Sequence, residues 1–277
     1  ENDYIDDDKI DLTAMQEDLS SYKGKTSTSS PSPHEWENAF GDADVVFCIT
    51  ITSTLSGTYN SAVIAKDIYE QNHAGRKVYV LDSLSTGPEI ALFIEKIAEL
   101  IKAGFAPDDI YKTLLEYKDK THLYFSLASL NNFAKNGRIS PVIAAGIGLL
   151  GVRVVGKASD EGTLLPLDKC RGEKRALKKL IDHLKECGYT DGKIIIAHNN
   201  NEAGALELKK LIENTFGIFN GKIQKTRALC SYYAEPGSFF NCNFTFFAYF
   251  DILFSFFTFY CVSSTSNFYA EFLSFFL

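Results

Sequence analysis

The chain has 277 residues, of which 45% are hydrophobic and 23% are charged, so it can bury the core of one large domain or two smaller ones. Its 28 basic and 35 acidic residues give a net charge of −7. This acidic balance disfavours a general nucleic-acid binder, and the apolar content disfavours an intrinsically disordered chain.

These averages combine two different regions. Residues 239–277 hold 14 of the 22 Phe residues, and their only charged side chains are Asp251 and Glu271. Residues 1–238 carry all 28 basic residues and 33 acidic ones, for a net charge of −5. We therefore interpret the two regions separately.

The six cysteines are scattered, with no CxxC pair and no Cys/His group at zinc spacing. The first ten residues are acidic and do not resemble a secretory signal peptide. This usage favours reduced thiols in a cytoplasmic protein. We predict no metal site and no cofactor.

Strand-like and helix-like segments alternate through the first part of the chain. A helix is expected to begin near Pro33, strands are predicted over residues 45–51 and 77–81, and helices over residues 58–71, 89–102 and 107–116. Strands separated by helices of this length indicate a parallel sheet with helices on both faces.

After about residue 120 the pattern becomes mixed. Strands are predicted over residues 122–127, 153–158, 163–167, 193–197 and 222–230, and helices over residues 129–136, 173–186 and 202–214. The turn at residues 160–162 joins two of these strands into a hairpin. The sequence therefore predicts an α/β fold of two domains, a parallel-sheet domain over residues 1–119 and a mixed-sheet domain over residues 120–238.

Hydroxyl side chains gather where predicted strands end or helices begin. They are dense in residues 26–32 and 52–58, and Asp82 and Ser83 end the second strand. Such positions can bind an anion, and the alternative is that they form helix caps and solvated turns. Because no GxSxG elbow, P-loop or GxGxxG accompanies them, the pattern favours binding over nucleophilic catalysis. Arg138, in Asn136–Ser140, reads either as a solvated charge or as a docking residue, and spacing alone favours the first.

Taken together, these segments resemble the DegV family. The matching segments occur in the family's order, and they are Thr28–Pro33, Leu55–Ala62, Asp82-Ser83, Leu130 with Asn136–Ser140, and Arg171-Gly172. The resemblance implies two α/β domains with a long apolar tunnel between them. It also implies a protein that is not an enzyme, which binds a long-chain fatty acid and presents the carboxylate to a separate, ATP-using subunit of a bacterial fatty acid kinase.

The resemblance also assigns roles to individual residues. Thr28 and Ser56 match the family's carboxylate-binding positions, and we expect Ser29, Gly57, Thr58, Asp82 and Ser83 to belong to the same ligand site. Arg138 and Arg171 are expected to dock the kinase partner, and residues 143–150 to line the tail pocket. Two departures are visible: the family's first strand is expected to be missing before Tyr4–Asp7, and no His precedes the turn at Glu235-Pro236-Gly237.

Residues 239–277 allow two interpretations. Cys242–Val262 has the length of a membrane span and one charge, but no Lys or Arg flanks it to set an orientation. We favour the interpretation that this tail is not native sequence, so that a membrane is a partner only if the tail is genuine. The functional alternatives are an acyl or phosphoryl transferase that uses the Ser/Thr loops, and a membrane-anchored interaction module.

Overall fold

The computed structural model describes residues 2–7, 9–22, 24, 26–139 and 151–244. The helices in this part of the chain are α1 (Leu12–Ser21), α2 (Pro33–Phe40), α3 (Thr58–Asn72), α4 (Pro88–Lys102), α5 (Pro107–Lys118), α6 (Asn131–Lys135), α7 (Glu173–Glu186), α8 (Glu202–Phe216) and α9 (Ala228–Ala234). The strands are β1 (Val45–Thr50), β2 (Lys77–Asp82), β3 (Thr121–Leu127), β4 (Val152–Ala158), β5 (Leu164–Arg171), β6 (Ile194–His198), β7 (Gly221–Lys225) and β8 (Phe239–Phe244). None of these helices combines the length and the apolar character that a bilayer crossing requires.

Strands β1 and β2 form a small parallel sheet that is covered on both faces. Val46 and Cys48 point toward a cluster built on α2 and α3, whereas Phe47 and Ile49 pack against the α4 side. The two strands pair in register from Val45 with Lys77 to Thr50 with Asp82. Their carboxyl ends therefore meet at one edge of the sheet.

The larger sheet has six strands in the order β5-β4-β3-β8-β6-β7. Strands β6 and β7 are parallel, and the other pairs are antiparallel. Helices α7 and α8 bury Leu180, Leu184 and Leu208 against one face of this sheet. The predicted α/β class, with a parallel sheet and a mixed sheet, is confirmed.

Helix α4 packs between the two sheets. It contacts β1 on one side and β3, β6 and β8 on the other, and Leu92 and Phe93 are completely buried. A helix that is apolar around most of its circumference is expected in such an interior position. The hydrophobic core is consequently continuous from the small sheet to the large one.

The last described strand lies beyond the predicted end of the second domain. Strand β8 pairs with β3 on one side and β6 on the other, and Phe239, Phe240 and Cys242 are buried. The boundary predicted at residue 238 is therefore too early, because the central strand of the large sheet begins at Phe239. The rest of the predicted tail and the apolar segment 143–150 lie outside the described residues.

Two helices differ from the sequence-based expectation. The strand predicted over residues 222–230 ends at Lys225, and α9 follows it. The carboxylate of Asp6 accepts hydrogen bonds from the backbone N–H groups of Ala228 (3.2 Å) and Leu229 (2.9 Å), which satisfies the start of this helix. Helix α1, which was not predicted, begins with Asp11 as its N-cap.

Candidate functional site

The loops at the carboxyl ends of β1 and β2 border a cavity of about 310 Å³. Helix α9, helix α6, strand β5 and strand β8 complete its walls. A volume near 300 Å³ is at the lower end for pockets that bind small molecules. The cavity thus lies at the strand-end position where open α/β sheets place their ligands.

One end of the cavity carries hydroxyl groups. Five of the predicted ligand-binding residues line it there, and they are Thr28, Ser29, Ser56, Gly57 and Thr58. The remaining wall is mostly apolar, with lining side chains that include Ile51, Leu55, Phe133, Leu164, Leu229 and Phe240. The cavity therefore combines a polar end and an apolar wall.

The hydroxyl-rich loop 26–32 serves both of the roles that the sequence left open. Ser32 is the N-cap of α2 and forms a capping box with Glu35. The hydrogen bonds from Ser32 lower the pKa of the Glu35 carboxyl. Thr28, Ser29 and Ser30 instead line the cavity, so the loop is both a helix cap and a cavity wall.

Side-chain hydrogen bonds fix the polar end. Ser56 Oγ lies 2.7 Å from Thr58 Oγ1, and Thr28 Oγ1 lies 2.8 Å from the hydroxyl of Tyr233. Helix α3 begins at Thr58, and its N-cap is Gly57, which has no side chain to cap the first N–H groups. The positive end of this helix dipole therefore points toward the same hydroxyls.

Asp82 and Ser83 do not line the cavity, in contrast to the other predicted ligand residues. The Asp82 carboxylate accepts hydrogen bonds from the backbone N–H groups of Ser53 and Leu84, both at 3.1 Å. Ser83 Oγ bonds to the backbone of Ser85. In this structure both residues hold the strand-end loops in place.

A contact from the large sheet closes over the loop that carries Ser56. Thr54 Oγ1 donates a 2.7 Å hydrogen bond to the carbonyl of Gly162, in the turn between β4 and β5. Gly162 has φ +78°, and a Cβ there would lie 2.1 Å from Thr52 Oγ1. Only glycine allows this approach without a shift, so the hairpin turn is fitted to the loop.

The two predicted docking arginines lie in different settings. Arg138 lines the cavity, and it donates from Nε to the carbonyl of Leu55 (3.2 Å) and from Nη1 to the carbonyl of Asn136 (2.5 Å). Arg171 ends β5, is exposed, and is not among the cavity-lining residues. Within the described part of the chain, Arg138 is the only charged residue that lines the cavity.

Helix α9 contributes two residues that the sequence did not single out. Tyr233 bonds to Thr28 and packs on Phe133, with ring centroids 4.9 Å apart. Cys230 lies beside it, and burial raises the pKa of its thiol to about 11. The sequence offered one signal for this helix. The family resemblance expects a ligand-binding His just before the turn at Glu235-Pro236-Gly237, which indicates that this segment borders the site even though the His is absent.

Fold and cavity together define a two-sheet α/β protein with an interior apolar cavity and hydroxyl groups at its polar end. The family model described as the DegV family matches residues 1–240. The chain belongs to the DegV family.

Individual relatives extend this comparison. The chain is 41% identical over 234 residues to a DegV domain-containing protein of Streptococcus pneumoniae, which covers 84% of this chain and 83% of that protein. It is 40% identical to a DegV family protein from Eubacterium eligens whose crystal structure is loaded with heptadecanoic acid, with a TM-score of 0.85 and coverage of 87% and 88%. It is also 40% identical to the Streptococcus pneumoniae fatty acid kinase (Fak) B3 protein loaded with linoleic acid, with a TM-score of 0.85 and coverage of 87% and 86%.

Proposed function

We propose that this protein binds one long-chain fatty acid in the cavity, with the acyl chain against the apolar wall and the carboxylate at the hydroxyl end. The observation that carries the proposal is that both chemistries meet in one cavity, whose lining combines Thr28 and Ser56 with Phe133, Leu164 and Phe240. A fatty acid has the same division into a polar head and an apolar chain. Two relatives that are 40% identical to this chain were crystallised with such acids.

The hydroxyl pairs supply donors for a carboxylate. Two hydroxyls that share one hydrogen bond use one of their two protons in it, so each pair keeps a second O–H for another acceptor. The Ser56–Thr58 pair and the Thr28–Tyr233 pair each follow this arithmetic. Together they offer one donor to each oxygen of a carboxylate, beside the N-terminus of α3.

The second part of the proposal is presentation to a separate kinase subunit. Ser29 and Gly57 are exposed, and Thr28 and Ser56 are half-buried, so the polar end lies close to the surface. A carboxylate held there is within reach of a partner protein, and one relative is the fatty acid kinase B3 protein. Arg138 and Arg171 remain the proposed docking residues for the ATP-using subunit.

A carrier fits the cavity better than a transferase does. A hydroxyl nucleophile needs a base within hydrogen-bond reach, and the described cavity lining contains no His, Lys or carboxylate. We therefore propose a protein that binds its ligand without catalysing a reaction. The five cysteines in the described residues are free thiols, which supports a cytoplasmic location as part of the proposal.

Lipid extraction and a serine variant test the proposal together. Mass spectrometry of an organic extract should identify a long-chain acid that co-purifies with the protein, and delipidated protein should bind oleate. Ser56→Ala deletes one hydroxyl of the Ser56–Thr58 pair, and Thr58 keeps a proton that it can donate, so the change should weaken oleate binding by about 0.5–1.5 kcal/mol, or roughly 2- to 13-fold. Ser20→Ala, on the exposed face of α1, is the matched control and should bind as the unaltered protein does.

Two results would contradict the proposal at different levels. A protein that carries no fatty acid and binds neither oleate nor palmitate after delipidation does not have this function. If Ser56→Ala binds oleate with unaltered affinity, the protein still binds lipid, but the carboxylate does not lie at the hydroxyl end of the cavity.

A further inference from the structure

The cavity wall holds a second polar pair, apart from the hydroxyls that serve the carboxylate. Thr86 lies in the loop between β2 and α4, Cys230 lies on α9, and both line the cavity. Thr86 Oγ1 is 3.8 Å from Cys230 Sγ, and within the described residues this thiol is its only hydrogen-bond partner. Thr52, another threonine of the lining, instead bonds at 2.9 Å to Thr54. The proposed function gives the Thr86–Cys230 pair no role.

The chemistry of this pair favours an oxygen function on the ligand. A thiol is a weak hydrogen-bond partner, so the Thr86 hydroxyl keeps most of its capacity to donate and to accept. Burial raises the pKa of Cys230 to about 11, so the thiol stays neutral and keeps its S–H at neutral pH. An unsubstituted acyl chain would cover both groups without bonding to either of them. A hydroxyl on the chain could accept a hydrogen bond from Thr86 and donate one to Cys230 Sγ.

The pair lies near the carboxylate end of the cavity. Cys230 is three residues before Tyr233 on α9, and side chains at this spacing share one face of a helix with their Cβ atoms about 5–6 Å apart. Tyr233 bonds to Thr28, which belongs to the carboxylate site of the proposed function. A ligand hydroxyl that reaches Thr86 is therefore carried by one of the first carbons of the acyl chain and not by its far end.

We propose that Thr86 and Cys230 form a subsite for a hydroxyl group on the acyl chain, so that the cavity accepts a 3-hydroxy fatty acid as well as an unsubstituted one. This inference rests on the proposed function, because the bound carboxylate sets the position of the hydroxyl. A wall that is apolar at this point would leave the ligand hydroxyl buried without a partner, which weakens binding by about 5- to 150-fold.

Competition binding on the delipidated full chain tests this inference. Octadecanoate, 3-hydroxyoctadecanoate and 12-hydroxyoctadecanoate have one chain length, and each is titrated against a fluorescent fatty acid. In the unaltered protein the Kd for 3-hydroxyoctadecanoate should lie within about threefold of the Kd for octadecanoate, because the hydroxyl is paired.

Thr86→Val preserves the shape of the side chain and removes its hydroxyl. It should raise the Kd for 3-hydroxyoctadecanoate by about 2- to 13-fold and leave the Kd for octadecanoate and for 12-hydroxyoctadecanoate unchanged. Thr86→Ser keeps a hydroxyl and should bind all three ligands as the unaltered protein does. Thr13→Val, on the exposed face of α1, is the matched control.

The outcomes separate this inference from the proposed function. Failure of the unaltered protein to bind octadecanoate would refute the proposed function itself. Normal octadecanoate binding, combined with an equal change for all three ligands or no change for any of them in Thr86→Val, would refute only the hydroxyl subsite. If Thr86→Val does not fold, Thr86→Ala provides the same comparison, and an unchanged ratio of the Kd values for 3-hydroxyoctadecanoate and octadecanoate would overturn the inference.

Discussion

The hydrogen bond between Thr28 and Tyr233 allows the donor arithmetic of the site to be tested directly. Thr28→Val preserves the β-branched shape, and Tyr233→Phe preserves the ring that packs on Phe133 at a centroid distance of 4.9 Å. Each change deletes one member of a hydroxyl pair whose oxygens are 2.8 Å apart. Either remaining hydroxyl keeps a proton that it can donate to the ligand.

The magnitudes follow from this redundancy. A single substitution loses the bond that orients the remaining donor, which is worth about 0.5–1.5 kcal/mol. The double variant also loses the charge-assisted bond to the carboxylate, so its total cost should be about 3 kcal/mol or more. We therefore expect the loss in the double variant to exceed the sum of the two single losses by about 1 kcal/mol.

The measurement is the oleate affinity of the unaltered protein, the two single variants and the double variant. Thermal unfolding confirms that each of them folds. Tyr22→Phe, which removes an exposed hydroxyl outside the cavity, should bind oleate as the unaltered protein does. Losses that add to within about 0.5 kcal/mol would show that the two hydroxyls act independently, and the pair would not be a shared donor. If the double variant binds oleate with unaltered affinity, the Thr28–Tyr233 pair does not contact the carboxylate.

Two further expectations concern stability and thiol chemistry. Among the described residues, neither side-chain amide atom of the buried Asn241 has a hydrogen-bond partner, so Asn241→Val should raise the free energy of unfolding by about 1–3 kcal/mol in denaturant titrations. Asn243→Val should give a smaller gain, because Asn243 Nδ2 contacts Cys187 Sγ at 3.7 Å, and the reverse order would contradict this reasoning. Because burial raises the pKa of Cys230 to about 11, its alkylation at pH 8 should be slower than that of a free thiol by on the order of 100-fold and should accelerate as the pH rises toward 11. Alkylation of Cys230 at the rate of a free thiol, followed by peptide mass spectrometry, would show that the cavity wall is open.

Local sequence patterns were sufficient for most of the secondary structure. Alternation of apolar residues and helix-start signals depend on neighbours within a few positions, so β1, β2 and α7 could be predicted closely. Helix α9 could not, because the group that satisfies its first N–H groups is Asp6, more than two hundred residues earlier in the chain. Residues 222–230 were therefore predicted as one strand, since nothing nearby in the sequence marks the start of this helix.

Strand β8 shows that composition alone can misplace the end of a domain. Its Phe-rich sequence begins the region that differs most from the rest of the chain, and this contrast placed the predicted boundary before it. In the structure Phe239 and Phe240 point to opposite faces of the central strand, and each face is covered by helices. Because both faces of β8 are buried, no exposed polar face marks it as a strand, and composition alone could not distinguish it from a tail.

The polar residues near the strand ends were all predicted to belong to one ligand site. In the structure some of them line the cavity, whereas others bond to the backbone of the loops. Asp82 and Ser83 direct their side chains to backbone groups of the loops, whereas Ser56 and Thr28 reach the cavity. Sequence spacing gives the position of a residue along the strand but not the partner that its side chain selects. Tyr233, which completes the hydroxyl set, lies more than two hundred residues from Thr28 and enters the site only through the packing of α9.

Three elements near the cavity hold the loop that carries Ser56. Asp82 holds it through the N–H of Ser53, the β4–β5 turn holds it through Thr54, and Arg138 holds it through the carbonyl of Leu55. A ligand that displaces this loop must therefore alter the hydrogen bond that orients Arg138. Because coupling between two binding events is reciprocal, a partner that engages Arg138 must in turn change the affinity for the ligand at Ser56. The hydrogen bond from Arg138 to Leu55, the residue next to Ser56, thus links fatty acid binding to recognition by the kinase subunit in the proposed function.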